Sequence, residues 1–263
     1  YYSTLKPWQI VNRIPGINNI CRKAYLSRLM NRMIAYYPSL YTFYPKTYVL
    51  PNDNQKFISA VMMHNKRHIV KPDGGSLGIG ITLLSEKDDF SPIESLAIAQ
   101  EYLPSALIND TKFDLRVFVL IASVSPLTVY VYRDGIARFC SMKSGSDSVF
   151  SELTNTSINK KNPNVTMDMI TRMIRNVFDS LERNQGVDIA LLWRKIDNII
   201  LLTIISDLRY IEEGVKKYCP SICYNRCFQI LGFDIMLDPD WNPHLLEVNF
   251  RPSLEGSTDD EKA

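Results

Sequence analysis

Near the C-terminus the chain reads Gly232-Phe-Asp234-Ile-Met-Leu and then Leu245-Leu-Glu247-Val-Asn249. Asp234, Glu247 and Asn249 offer two carboxylates and an amide oxygen. That hard, all-oxygen donor set suits Mg²⁺, which takes a few protein oxygens and fills its shell with water and phosphate. Taken alone, a half-buried strand with a solvent-facing polar side explains the same residues equally well. Upstream residues shift the balance. Lys71 precedes Pro-Asp-Gly74-Gly75-Ser-Leu-Gly78-Ile-Gly80, whose backbone N–H groups can cradle phosphate oxygens while the lysine neutralises their charge. Arg116 and Arg138 can present planar forks to a carboxylate or phosphate.

Other chemistries find less support. The glycine loop is neither a Walker loop, since no Gly-Lys-Ser/Thr follows, nor a dinucleotide fingerprint opening a helix. No Ser-His-Asp or Cys-His set calls for a covalent enzyme intermediate. Cys219, Cys223 and Cys227 recur every four residues, as on one helix face, and read as buried small side chains rather than a metal trio. His64 and His68 share that spacing without a third ligand and read as a solvated basic turn. The five cysteines are odd in number and read as reduced thiols of an intracellular protein.

The elements that must position these groups follow from periodicity. The runs flanking Asp238-Pro-Asp-Trp-Asn-Pro243 predict two antiparallel strands, so Glu247 and Asn249 share a side and Asp234 joins them from the neighbour. Residues 20–37 predict an amphipathic helix, and 46–51 and 68–71 predict strands, the second running through the glycine loop into a strand ending at Leu84. Over 113–121, Phe113, Leu115, Val117, Val119 and Ile121 take one face, and Asp114 and Arg116 share the other. Asp134-Gly135 predicts a hairpin turn between strands at 128–132 and 136–140. Residues 141–166 read as loop. Met167, Ile170, Ile174, Val177 and Leu181 predict one helical stripe, and 190–209 a second helix. The class is α+β with substantial antiparallel sheet.

Composition sets outer bounds. The 263 residues carry a net charge of +2, and no apolar run is long enough to span a bilayer. Residues 1–71 hold eleven lysines and arginines against one acid, Asp53. So basic a block implies an anionic partner, or else a face that opposes the acidic remainder within the fold. Readout motifs for nucleic acid are missing.

Ten motifs in order resemble the tubulin-tyrosine-ligase-like family. They are Val11-Asn-Arg-Ile-Pro-Gly16, Arg22-Lys23, Pro45-x-Thr-x-x-Leu-Pro51, Ile69-Val-Lys-Pro-Asp73, Gln100-x-Tyr102-Leu103, Lys112-Phe-Asp-Leu-Arg116, Tyr132-Arg-Asp-Gly-x-x-Arg138, Leu153-Thr-Asn155-x-Ser-Ile-Asn-Lys160, Gly232-Phe-Asp234 and Leu246-Glu-Val-Asn249. The resemblance spans about residues 8–254 and is nearest the glutamate-adding branch. It implies an ATP-grasp fold, with two lobes of largely antiparallel sheet clasping ATP. The expected divisions are 1–15 as the remnant of an N-terminal lobe, 16–103 as the central lobe, 104–254 as the C-terminal lobe and 255–263 as a disordered acidic tail.

Carried over by position, the resemblance puts Lys71 on the ATP phosphates. It places Leu77, Gly78, Gln100, Glu101, Tyr102, Leu103, Lys112, Phe113, Asp114, Thr154 and Asn155 around the nucleotide. Asp234, Glu247 and Asn249 would hold Mg²⁺. Arg138, Thr156, Ser157 and Phe250 would bind the incoming amino acid, and Arg116 would hold the reacting carboxyl or phosphoryl group. Lys71, Arg116, Arg138 and Glu247 are thus the catalytic set.

The sequence departs from the branch at Ser76-Leu77, Glu152, Thr156 and Phe250, which bear on the choice of amino acid more than on nucleotide or metal. The implied activity is ATP-dependent addition of glutamate to acidic tubulin tails through an acyl-phosphate. Alternatives are a glycine or tyrosine ligase, or a non-catalytic microtubule-binding relative. The expected partners are tubulin or microtubules and an amino acid, with no nucleic acid or membrane. The expected state is a monomer on the cytoplasmic cytoskeleton, with the cilium or basal body as candidate locations.

Overall fold

The computed structural model describes residues 2–6, 8–64, 66–75, 78–84, 92–146, 148–219 and 226–254. A short strand β1 (Val11–Asn12) leads to helix α1 (Lys23–Tyr36), then β2 (Thr47–Leu50), helix α2 (Asn54–His64), β3 (His68–Pro72), β4 (Thr82–Leu84) and β5 (Ala97–Glu101). Next come β6 (Leu107–Ile108) and the long hairpin β7 (Thr111–Val124) and β8 (Leu127–Phe139). Short helices α3 (Val149–Glu152), α4 (Thr156–Asn159) and α5 (Met167–Ile170) precede β9 (Thr171–Met173). Helices α6 (Ile174–Gln185) and α7 (Ile189–Tyr218) lead to the closing pair β10 (Cys227–Leu237) and β11 (Pro243–Asn249).

These strands form two sheets. The smaller has the order β2-β5-β3-β4; the larger runs β1-β10-β7-β8-β9, with β11 also on β10 and β6 on β7. Every pairing is antiparallel except β1 with β10.

The alternation in β7 sets the layout. Phe113, Leu115, Val117, Val119 and Ile121 are buried and join Leu231, Phe233 and Ile235 of β10 in the main core. Phe178 and Leu181 of α6, and Ile196 and Ile200 of α7, belong to the same core. Such burial supplies roughly 1.5–3 kcal/mol per large apolar side chain. With the odd residues of β7 committed to the core, Asp114 and Arg116 fall on the opposite face.

Several expectations need correction. Residues 127–139 form one continuous strand, and the hairpin turn lies at Ser125-Pro126, between the paired Val124 and Leu127. Asp134-Gly135 sits in a bulge, where Tyr132–Asp134 stand opposite the single residue Phe118. Gly135 has φ +139°, and a Cβ there would lie 2.3 Å from the carbonyl oxygen of Arg116. The Asp134 carboxylate accepts N–H bonds from Gly135 (2.9 Å) and Arg175 (3.0 Å), the latter in the first turn of α6. A side chain that bonds backbone two ways explains an Asp-Gly pair without a reversal.

The apolar stripe from 167 to 181 is split by β9, because Thr171–Met173 pair with the edge of β8. The 141–166 stretch holds α3 and α4, and the second helix runs to Tyr218. Cys219 ends α7 and Cys227 opens β10, so they share no helix face, and Cys223 lies outside the described residues. His68 is buried against Phe57, 5.3 Å between ring centroids, rather than solvated, and burial lowers its pKa.

One buried acid carries a testable cost. Asp207 of α7 is 4% exposed and bonds the Tyr25 hydroxyl at 3.1 Å. Burial raises its pKa to about 6, against weaker opposition from Tyr25, Asn19 and Arg32. The folded state therefore holds this proton more tightly than the unfolded chain, and the stability it confers is lost as pH rises from about 4 to 6. Asp207→Asn is expected to raise Tm by about 2–4 °C at about pH 7.5, with the gain vanishing near pH 4, in thermal melts across that range.

Candidate functional site

Strand register assembles the site. Asp114 pairs with Arg138 across β7 and β8, Arg116 with Asp234 across β7 and β10, and Asp234 with Glu247 across β10 and β11. Four adjacent strands thus bring five charged groups to one sheet face. Arg138 is bidentate on Asp114 (2.7 and 2.6 Å) and reaches Asp234 at 2.8 Å. Arg116 grips both oxygens of Asp234, and the Thr154 hydroxyl donates to Asp114 at 2.6 Å. Burial alone would raise the Asp234 pKa, but Arg116 and Arg138 outweigh it and hold the carboxyl well below its usual range. Burial would likewise lower Arg138, yet Asp114 and Asp234 hold it above its ordinary value.

Glu247 is less committed. Its carboxylate lies 3.5 Å from the Lys23 ammonium and 3.5 Å from the Asn249 amide nitrogen. Lys23 also donates to the Gly75 carbonyl at 3.0 Å, tying the start of α1 to the glycine loop and to β11. The loop has a second anchor in Asp73, which accepts the Ala24 N–H at 2.8 Å and binds Arg22 at 2.6 Å. That carboxylate faces the first turn of α1, where the helix dipole favours it.

Lys71 enters from the smaller sheet. It is 7% exposed and donates to the Gln100 side chain at 3.0 Å, while Gln100 donates to Thr47 at 3.0 Å. This relay fixes the ammonium through Gln100, a residue the resemblance places around the nucleotide. The cross-strand pairing of Ile69 with Gln100 carries it. Burial lowers the Lys71 pKa, with Glu247 the largest opposing influence.

A pocket lies beside these groups, lined by Lys71, Glu101, Tyr102, Leu103, Lys112 and Thr154 among others, with Ile69, Met236 and Leu246 as apolar walls. Flat apolar walls with a few convergent polar groups suit a small aromatic ligand. Lys71, Arg138, Asn155 and Glu247 also line a wider cleft, which Gly78, Thr156, Ser157, Asn249 and Phe250 border. The expected nucleotide and substrate residues therefore meet along one continuous channel. Phe113 is the exception: it is 1% exposed and stacks on Phe139 in the core, so its side chain points away. Leu77 lies outside the described residues.

Glu152, at which the sequence departs from the branch pattern, is held by several partners. It accepts both terminal nitrogens of Arg67 (3.1 Å each) and the Tyr102 hydroxyl (2.5 Å), and Lys112 donates to that hydroxyl at 2.5 Å. Burial lowers Lys112 to about 8. Glu152 thus fastens the segment after β5 to β7 along one wall of the cavity. Glu152→Gln is expected to weaken a fluorescent ATP analogue about tenfold in an equilibrium titration, the loss of one charge-assisted bond.

Two sheets closing on a buried lysine, with a carboxylate and guanidinium row opposite, define an ATP-grasp-like α+β fold. Residues 3–263 match the tubulin-tyrosine ligase family, and the chain belongs to it. It is 39% identical to the tubulin polyglutamylase TTLL6 of Mus musculus, over 97% of this chain and 32% of that protein. It is 37% identical to the tubulin polyglutamylase TTLL13 of Homo sapiens, over 95% and 32%, and 35% identical to a probable beta-tubulin polyglutamylase of Tetrahymena thermophila, over 97% and 23%. The chain thus spans a third or less of the length of these relatives. Among the described residues, no helix is long and apolar enough to cross a membrane.

Proposed function

We propose that this chain is the ligase core of an enzyme that uses ATP to join glutamate to carboxylates of tubulin tails. The observation that carries the reading is Lys71, buried against Gln100 and facing Glu247, Arg116 and Arg138 across one channel. The likeness to polyglutamylases supports tubulin as acceptor and glutamate as donor. The 16–103 and 104–254 segments are proposed as the two lobes, matching the smaller sheet and most of the larger one.

The donor set fits Mg²⁺ by its chemistry. Glu247 and Asn249 present oxygens that no guanidinium holds, while Asp234 shares its oxygens with Arg116 and Arg138. Bound there, the ion would offset the charge of phosphate oxygens. Lys71 balances the transferred phosphoryl group, which an acceptor carboxylate receives as ADP leaves. Arg116 holds the resulting acyl-phosphate, while Asp234 fixes its guanidinium from the other side. Arg138 orients the incoming amino acid, with Thr156 and Ser157 beside it. Its amine attacks the acyl carbon, phosphate departs, and an amide forms. These residues position and neutralise, which is most of the work in phosphoryl transfer.

The reading places the protein on microtubules in the cytoplasm, with the cilium or basal body as sites. The test is incubation of the full-length protein with microtubules, Mg-ATP and labelled glutamate, read by intact-mass spectrometry. A gain of glutamyl units is expected; a gain of glycine or tyrosine alone, when those are supplied, would overturn the donor assignment.

A further inference from the structure

On the wall of the wider cleft, the Phe250 ring carries two cations. The guanidinium of Arg13 lies 5.3 Å from the centroid of the Phe250 ring, and that of Arg251 lies 5.5 Å from it. Among the described residues, neither arginine has a carboxylate partner. Elsewhere on this face the arginines are paired: Arg22 with Asp73, Arg116 with Asp234, and Arg138 with Asp114.

The arrangement is held from behind. Gln229, 2% exposed, donates to the Phe250 carbonyl at 3.1 Å and accepts the Ile14 N–H at 3.4 Å. One buried amide therefore pins both chain segments that carry the cations, so the ring and its flanks are preorganised. Each contact with the ring is by itself weak at an exposed site. Two like charges around one ring repel, and an anion relieves that repulsion. Phe250 and Arg251 line the same cleft as Glu247 and Asn249. Phe250 follows Glu247 by three residues, on the order of 10 Å of extended chain.

We propose that Arg13, Phe250 and Arg251 form a subsite for a carboxylate side chain of an acidic peptide, two or three residues along from the carboxylate that reacts. The inference rests on the ligase reading for the peptide's orientation, but not for its binding. An acidic tail then makes two separated contacts, one in the channel and one on this ring. The subsite selects for acceptors with more than one acid and holds them in register.

The test is fluorescence anisotropy of a fluorescein-labelled glutamate-rich peptide on the full-length protein at low ionic strength. Arg251→Ala and Arg13→Ala are each expected to weaken the peptide about tenfold. Lys216→Ala, which removes one exposed charge from α7, should leave the peptide's affinity unchanged. A fluorescent ATP analogue should bind all three variants equally, which certifies their fold. Wild-type affinity in Arg251→Ala, an equal loss in Lys216→Ala, or preference for a single-stranded oligonucleotide over the peptide would each overturn the subsite. Glutamate incorporation by the wild type, read in parallel, separates the two ideas. Arg251-dependent binding without incorporation keeps the subsite and removes the ligase reading, whereas incorporation with Arg251-independent binding does the reverse.

Discussion

Glu247→Gln is expected to cut glutamate incorporation by about 10²–10³-fold while the melting temperature stays within a few degrees of wild type. The exchange keeps the side chain's volume and removes only its charge. Glu247 is a quarter exposed and rests 3.5 Å from Lys23, so its folded-state ion pair is a loose one and its loss costs little stability. The catalytic loss is large because Glu247 is the carboxylate least committed to an arginine and, in the proposed reading, the one that would hold Mg²⁺.

A second readout does not depend on turnover. Burial lowers the Lys71 pKa and Glu247 is the strongest influence raising it again. Without that charge the ammonium loses its proton at a lower pH, and the cation is lost as pH rises through its folded value. Affinity for a fluorescent ATP analogue should therefore begin its alkaline decline at lower pH in Glu247→Gln than in wild type. Undiminished incorporation, or superimposable pH profiles, would remove Glu247 from the centre of the site.

The strands that carry this chemistry were legible wherever alternation was strict. β7 could be read residue by residue, because a strand buried on one face and charged on the other has only one reading of period two. The pairing of Glu247 with Asp234 followed from two short runs and a breaker. Local chemistry misled where it served tertiary structure instead. Asp134-Gly135 has the composition of a tight turn, yet its carboxylate bonds the backbone of α6 and its glycine admits the carbonyl of Arg116. The apolar spacing across 167–181 runs through the break at β9, where Ile170 and Met173 are both buried. Gln100, Asp73 and Glu152 were hardest to weigh, since their meaning lies in partners 29, 49 and 50 positions away. A single sequence records those partners' types but not that they meet.

The buried charge row also supplies the largest expected effect on stability. Arg138→Met is expected to cost about 3–5 kcal/mol in urea denaturation, because it leaves Asp114 and Asp234 buried with fewer counter-charges. Asp114 and Asp234 are 3% and 2% exposed, so water cannot replace the guanidinium without opening the sheet. Asp234 keeps Arg116, whereas Asp114 keeps only the Thr154 hydroxyl among the bonds described above. The damage should therefore centre on Asp114. Adding Asp114→Leu to Arg138→Met should recover much of the loss, because an apolar pair of similar volume avoids the desolvation that the ion pair had to overcome. The low Asp234 pKa adds an acid-side signature. Its stabilisation is present above the unfolded carboxyl value and is lost as pH falls through the folded one. Removing Arg138 raises that folded value, so Arg138→Met should unfold in acid at a higher pH than wild type. A double mutant no more stable than the single would mean that Arg138 acts through packing alone, not as the counter-ion of the row.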